Sequence, residues 1–110
     1  MYKQGDIIIV FFPYSDDINT SKLRPAIVVS NELSNGLDND IIICPITTRL
    51  RQSRFSFPLS NEDLLQPLPK DSEVRCNKFA TIRSSEVLKS VSALKAAKIA
   101  ELAEVLKSVF

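Results

Sequence analysis

An arginine directly before a proline opens an apolar run in the stretch SKLRPAIVVSNELSNG, residues 21–36. Proline fixes its own φ and pushes the preceding residue into an extended conformation. Because Pro25 has no N–H, it is best tolerated as the first residue of a strand or on an edge. We therefore expect a strand from about Ala26 to Ser30, which the turn-forming SNELSNG ends. Arg24 would then lie just outside this strand, as a cation fixed at the rim of a sheet.

Two further stretches concentrate basic residues in a chain whose net charge is only +1. Arg49, Arg51 and Arg54 fall close together with no acid among them, and Lys70, Arg75, Lys78 and Arg83 follow, diluted only by Asp71 and Glu73. A local basic face on a near-neutral protein suits a specific anionic ligand or a short length of nucleic-acid backbone. The alternative is a solvated arginine-rich loop that keeps the protein soluble.

Several kinds of chemistry are excluded by composition. The chain has no histidine, which removes the usual metal ligand and the usual general base. Cys44 and Cys76 are isolated thiols in neither a redox nor a zinc-like pattern, so we expect them to be reduced in a cytoplasmic protein. The apolar run Ile7 to Phe12 is far too short to span a bilayer. We expect no cofactor and no metal.

The elements that must position these residues are short strands followed by one helix. With 110 residues, positions 1–110 are expected to form a single domain. DIIIVFFP, RPAIVVS, NDIIICPIT and SRFSFPLS read as strands, and EVLKSVSAL cannot be assigned from its period. From about Ala96, apolar residues at Ile99, Leu102, Leu106 and Val109 form one stripe of a helix. The order predicts a mainly β (α+β) fold, a small curled barrel with a C-terminal helix.

The stretch SEVRCNKFATIRS alternates as a strand would. Alternation places Glu73, Arg75 and Asn77 on one face and Val74 and Cys76 on the other, with Phe79 and Ile82 as further inward candidates. The polar face is either one wall of a site or an ordinary solvated strand face. Between the first two strands, the long polar FPYSDDINTSKLR is either a flap over the rim or a simple hairpin loop.

Four pieces in order, GDIIIVFFPY, LRPAIVVSN, CPITT and VRCNKFATIRS, resemble the MazF/PemK toxins of toxin–antitoxin pairs. The resemblance covers nearly the whole chain from Gly5 onward. It implies an SH3-like barrel with a terminal helix, usually homodimeric. It also implies metal-independent cleavage of single-stranded RNA, such as mRNA, and neutralisation by a small antitoxin whose tail lies across the active rim.

The resemblance also implies roles for particular residues. Arg24 matches the family's catalytic arginine, Thr47 the threonine after PI, and Arg75 a basic residue implicated in catalysis in the PemK branch. Asn77 stands where that branch has an aspartate, and the first loop lacks a histidine. These departures leave the proton carrier open.

The expected chemistry is attack by the ribose 2′-hydroxyl on its own phosphate. A guanidinium stays protonated and can grip two phosphate oxygens, so Arg24 is expected to stabilise the transition state. The Thr47 hydroxyl would hold a phosphate oxygen or orient the 2′-hydroxyl. Asn77 can only hydrogen-bond substrate, so Glu73, or Asp16 or Asp17 in the first loop, could carry the proton instead.

Candidate RNA-binding residues combine cations with aromatic side chains on which bases can stack. Arg49, Arg51 and Arg54 are expected to follow the backbone, with Tyr14, Lys22, Thr48 and Lys78 as further contacts. Phe55, Phe57 and Phe79 are either stacking platforms or core.

Two other functions stay open. One is a non-enzymatic poison of a topoisomerase, like the gyrase-poisoning CcdB relatives. The other is a catalytically weakened homologue kept as a regulatory partner of an antitoxin, which Asn77 would suit.

Overall fold

The computed structural model describes residues 1–12 and 22–110, which form an antiparallel sheet and two helices. The strands are β1 (Asp6–Phe12), β2 (Lys22–Val28), β3 (Asp40–Thr47), β4 (Ser56–Leu59), β5 (Ser72–Arg75), β6 (Ala80–Arg83) and β7 (Lys89–Ala93). Helix α1 is Glu32–Asp38, helix α2 is Ala96–Lys107, and 3₁₀ turns cover Asn61–Asp63 and Ser84–Glu86. The predicted mainly β (α+β) class is confirmed.

β3 is the strand on which the sheet is organised. The strand order is β4-β5-β3-β2-β1-β7, and β6 also pairs with β3. One edge of β3 pairs with β2, while the other pairs first with β6 and then, from Ile46, with β5. Leu64, after β4, bridges to Leu94, after β7, and so brings the two ends of the strand path together. The sheet therefore curls, although the path through the described residues is not a closed ring of strands.

Two apolar clusters lie on opposite faces of this sheet. Alternate residues of β1, such as Ile7 and Ile8, enter different clusters because successive side chains of a strand point to opposite faces. α2 covers the first cluster with the fully buried Leu102, against which Ile99 and Leu106 also pack. The predicted helix and its apolar stripe are thus confirmed at these three positions.

The strand that contains Arg24 begins earlier than predicted. β2 starts at Lys22, so Arg24 lies inside the strand, paired with Val10 of β1, and the expectation that it lies outside is wrong. Pro25 pairs with Ile9 on that same edge. On the other edge, the described pairing of β2 with β3 covers only Ala26–Val28. Pro25 therefore lies outside the ladder that its missing N–H would interrupt.

The polar stretch after β2 is a short helix rather than a turn. Asn31 caps α1 by accepting a hydrogen bond from the Ser34 N–H at 2.9 Å. The buried Asn35 donates to the Tyr2 carbonyl at 2.9 Å, which anchors the helix to the N-terminal segment. Asn39 ends it in the left-handed region, at φ 59°. Within the described residues, neither helix is long and apolar enough to cross a membrane.

Candidate functional site

Arg24 and Thr47 lie on neighbouring strands, each two residues beyond the last pair of β2 with β3, which is Ala26 with Pro45. If that register is extended by two residues, Arg24 is level with Thr47. Antiparallel partners point to the same face, so both side chains share the face of Ala26. Both are half-buried. A guanidinium and a hydroxyl are thereby brought to one rim of the sheet.

Thr47 is the last residue of β3, and its hydroxyl organises the chain that follows. The Arg49 N–H donates to the Thr47 Oγ1 at 3.1 Å, which turns the backbone sharply out of the strand. A hydroxyl has one donor and two acceptor lone pairs, so this bond leaves its own hydrogen available to a ligand oxygen. Thr48 and Arg49, at the start of the loop, are exposed.

Arg75 lies on the same face, one strand further along. It pairs with Ser56 in β4, two residues after Glu73, which pairs with Thr47. Its side chain is half-buried, and its Nε is buried with no hydrogen-bond partner in the part of the chain that the structure describes. Val74, between Glu73 and Arg75 in β5, faces the core as predicted.

Glu73 departs from its expected place in an exposed polar wall, because its side chain is only 2% exposed. The carboxylate accepts from the N–H groups of Arg51 and Gln52, both at 3.1 Å, and from the Ser56 hydroxyl at 2.6 Å. Burial acts to raise the pKa of Glu73, but these three hydrogen bonds and the nearby Arg75 outweigh it and lower the pKa below its ordinary 4.5. Glu73 is therefore a hydrogen-bonded anion at neutral pH.

The predicted single strand SEVRCNKFATIRS is two strands with a turn between them. β5 ends at Arg75, and the Lys78 N–H donates to the Arg75 carbonyl at 3.2 Å, so Asn77 lies exposed in the turn instead of continuing the strand. Phe79 is also not inward: it is 39% exposed and packs on Phe110, with ring centroids 5.5 Å apart. Ile82 is buried as predicted. Alternation could not reveal this turn because no glycine or proline marks it.

The three clustered arginines all lie in the loop between β3 and β4. Arg49, Arg51 and Arg54 are exposed, and the Arg54 guanidinium lies 5.3 Å from the centre of the Phe55 ring. Phe57, by contrast, is buried in the first core cluster and is not available to a base. The exposed Lys78 follows Asn77 in its turn.

Several candidates fall elsewhere. Tyr14, Asp16 and Asp17 lie outside the described residues, as do all of positions 13–21 of the predicted flap and the side chain of Lys22. The two ends of that predicted flap, Phe12 and residues 22–24, belong to β1 and β2 instead. Beside Glu73, an open groove of about 580 Å³ runs past Pro58 and has Glu62, Asp71 and Glu73 in its described lining but no basic side chain. A carboxylate-lined groove does not suit a phosphate.

The two cysteines are free, as predicted, and both are buried. Burial, and then the neighbouring Glu73 carboxylate, raise the pKa of Cys76 to about 11, and burial raises the pKa of Cys44 too. Thiols of this kind are protonated at neutral pH and make poor nucleophiles. Among the described residues, no cluster of His, Cys, Asp and Glu could hold a metal ion.

The sequence reasoning missed the support of this site. This support is the set of hydrogen bonds that the Glu73 carboxylate accepts from Ser56 and from the N–H groups of Arg51 and Gln52. Nothing in the local sequence indicates that these positions are paired. They meet only because the chain between β3 and β4 passes β5.

The fold and the site together define a small α+β protein with basic side chains and the Thr47 hydroxyl gathered along one rim of the sheet. Residues 3–110 match the family described as PemK-like, MazF-like toxin of type II toxin–antitoxin system. The chain therefore belongs to this family, and the resemblance noted in its sequence is confirmed. No match is found among curated protein sequences.

Solved structures share the fold at low sequence identity. The toxin MazF-mt6 of Mycobacterium tuberculosis superposes with a TM-score of 0.77 at 23% identity, over 96% of this chain and 95% of that one. An endoribonuclease in complex with its cognate antitoxin, from a mycobacterial species, gives 0.79 at 16% identity, over 99% and 94%. A MazE–MazF structure from Deinococcus radiodurans gives 0.73 at 21% identity, over 98% and 93%.

Proposed function

We propose that this toxin-family protein is a cytoplasmic endoribonuclease that cleaves single-stranded RNA such as mRNA without a metal and thereby inhibits translation and growth. The observation that carries the proposal is that Arg24, Thr47 and Arg75 lie on one face of three adjacent strands, with Thr47 and Arg75 at the ends of β3 and β5 and Arg24 near the start of β2. Family membership supports the same activity, and two of the similar structures are described as endoribonucleases.

Each residue of the site has a proposed role in the cleavage reaction. The 2′-hydroxyl attacks the adjacent phosphorus, the bond to the 5′-oxygen breaks, and a cyclic phosphate and a 5′-hydroxyl end result. Arg24 and Arg75 stabilise the negative charge that builds on the phosphorane oxygens. The Thr47 hydroxyl donates to a phosphate oxygen or orients the nucleophile. Asn77, in the turn after Arg75, hydrogen-bonds the substrate.

A small antitoxin is the proposed protein partner. Similar structures include an endoribonuclease in complex with its cognate antitoxin and a MazE–MazF structure. The exposed arginines of the 48–55 loop would attract an acidic segment of such a protein as well as RNA, so antitoxin and substrate would compete for one surface. A short acidic protein encoded next to this chain would be the first candidate.

The test is cleavage of a short single-stranded RNA in EDTA. We expect products with 2′,3′-cyclic phosphate and 5′-hydroxyl ends, and no cleavage when the ribose at the cut site is replaced by deoxyribose. Cleavage of that deoxy substrate, or a requirement for added metal, would contradict the mechanism. Inhibition of gyrase supercoiling without RNA cleavage would instead identify a topoisomerase poison. Antitoxin binding without either activity would identify a regulatory homologue, for which Asn77 is the supporting observation.

A further inference from the structure

The 48–55 loop has to cross a strand. In the order β4-β5-β3, the chain leaves β3 at Thr47 and enters β4 at Ser56, so it must pass β5, which lies between them. Thr47 pairs with Glu73 and Ser56 pairs with Arg75, so the loop runs back along β5 by two residues as it crosses. A crossing without regular structure leaves backbone N–H groups that need acceptors.

Glu73 supplies those acceptors from the strand beneath. One carboxylate oxygen takes the N–H groups of Arg51 and Gln52, in the middle of the crossing, and the other takes the Ser56 hydroxyl at its end. Gln52 has a φ of 50°, a left-handed conformation that a residue other than glycine adopts only when its surroundings hold it. The carboxylate is thus bonded to the most constrained part of the loop.

Hydrogen bonds between residues close in sequence hold the rest of the loop. Ser53 N–H donates to the Ser56 hydroxyl oxygen and Phe55 N–H to the Ser53 hydroxyl oxygen, both at 3.1 Å. The Cys76 N–H donates to the Phe55 carbonyl at 2.9 Å, joining the loop to the end of β5. The backbone is therefore fixed while the side chains of Arg49, Arg51 and Arg54 stay exposed.

We infer that Glu73 is a positioning residue that holds the 48–55 loop in a fixed shape so that its three arginines form a preorganised track for the RNA backbone. This inference rests on the proposed function. Both carboxylate oxygens are engaged by the loop, and the side chain is 2% exposed, so Glu73 does not face a substrate from which it could take a proton. A fixed loop also spares the ordering cost that mobile arginines would incur on binding.

The experiment compares Glu73→Gln and Glu73→Ala, with Glu62→Gln as the control for loss of an exposed carboxylate. Amide hydrogen exchange of Arg51 and Gln52 reports the loop, and exchange of Ile7 and Ile8 reports the core. KM and kcat on a short single-stranded RNA, measured across pH, report function. Ser56→Ala, which removes one of the three hydrogen bonds to the carboxylate, gives a milder test should Glu73→Ala fail to fold.

Glutamine keeps a carbonyl acceptor for the two N–H groups, so Glu73→Gln is expected to keep both amides protected, with KM and the pH profile close to those of the parent. In Glu73→Ala the two amides should exchange rapidly while Ile7 and Ile8 stay protected. KM should rise about tenfold or more as the three arginines lose their fixed spacing, with kcat changed far less. Ser56→Ala should fall between the two.

A Glu73→Gln variant with protected amides but a lost kcat and a lost limb of the pH profile would overturn the inference and make Glu73 the proton carrier. Unchanged KM in a Glu73→Ala variant whose loop amides exchange rapidly would also overturn it, because loop order would then not matter for RNA. If the parent protein does not cleave RNA at all, the proposed function itself fails, a result distinct from either of these.

Discussion

Thr47 and Glu73 are paired across β3 and β5, with Thr47 half-buried at the rim and Glu73 sealed beneath the loop that Thr47 begins. The pairing places a candidate catalytic hydroxyl and the anchor of the arginine loop on one face, one strand apart. Loop position and catalytic geometry are therefore linked through two neighbouring strands. Substitutions at the rim and at the anchor should differ in which kinetic constant they change.

Arg24→Ala is expected to lower the rate of RNA cleavage by about 10²–10³, the usual effect of losing one preorganised donor to a transition-state oxyanion. Arg24→Lys should restore little, because an ammonium cannot grip two phosphate oxygens as a guanidinium does. The fold should survive, since strand preferences differ by only ~1 kcal/mol between residue types. Single-turnover cleavage and circular dichroism measure the two effects.

The matched control for Arg24 is Lys89→Ala, which removes an exposed cation from β7, two strands away. Lys89 pairs with Ile9 and Arg24 with Val10, the next residue of β1, so the two cations belong to opposite faces of the sheet. The substitution should leave the cleavage rate within about twofold, because an exposed charge on the opposite face is largely screened. Equal losses in the two variants would mean that Arg24 acts only through overall charge.

Acid should weaken the fold partly through Glu73. Its pKa is lowered in the folded protein, so its contribution is fully present above the ordinary value of 4.5 and is lost as the pH falls through the lower folded value. Urea unfolding at pH 7 and at successively lower pH should therefore show a smaller acid-induced loss of unfolding free energy in Glu73→Gln than in the parent. Glu62→Gln, at an exposed position, should follow the parent. The same slope in all three proteins would contradict the prediction.

Much of the fold could be predicted because its signals are local. The continuous apolar runs of β1 and β3 and the 3.6-residue spacing of α2 do not depend on distant contacts. α1 was missed because its stability comes from the cap at Asn31 and the buried Asn35, not from an apolar stripe. The sequence did not predict the turn at Asn77. A polar residue at this position keeps the alternation of polar and apolar residues, although the backbone no longer follows a strand.

The candidate site was predictable as a set of residues but not as an arrangement. Arg24, Thr47 and Arg75 could be found from their motifs, but their common face depends on the order of β2, β3 and β5 in the sheet. The same order explains why Glu73 is covered. A carboxylate in an alternating strand predicts exposure, and only the crossing of the loop over β5 reverses that prediction.

A homodimer remains a prediction from the sequence, although the contact residues expected for it need revision. The sequence offers VVSN, the IIIC strand and the terminal helix as candidates for a symmetric contact, but Val29, Ile41 and Ile43 of the two strand segments are buried in the core. Exposed leucines lie instead on α1, where Leu33 and Leu37 are 86% and 80% exposed. We expect light scattering at micromolar concentration to give twice the mass of one chain.

Leu33→Glu should shift the mass toward one chain by placing a charge in the apolar contact. Leu65→Glu changes an exposed leucine outside α1 and serves as the matched control, with no expected change in mass. A monomeric parent protein would count directly against the dimer, and equal effects of the two substitutions would count against α1 as its contact.

Asn77 decides between a fully active and a weakened enzyme. If this exposed turn residue lies beside the scissile phosphate, Asn77→Asp should raise the cleavage rate, by up to the ~10²–10⁴-fold that a positioned acid or base supplies. The gain should depend on pH, because the new carboxyl must change protonation during turnover, and Asn77→Ala should cost only one substrate hydrogen bond of about 1 kcal/mol. The rate of each variant across pH, on one RNA, measures this. A slower Asn77→Asp together with a crippled Asn77→Ala would make the amide itself the working group. No effect of either substitution would remove the turn from the active site and weaken the role proposed for Arg75, two residues before it.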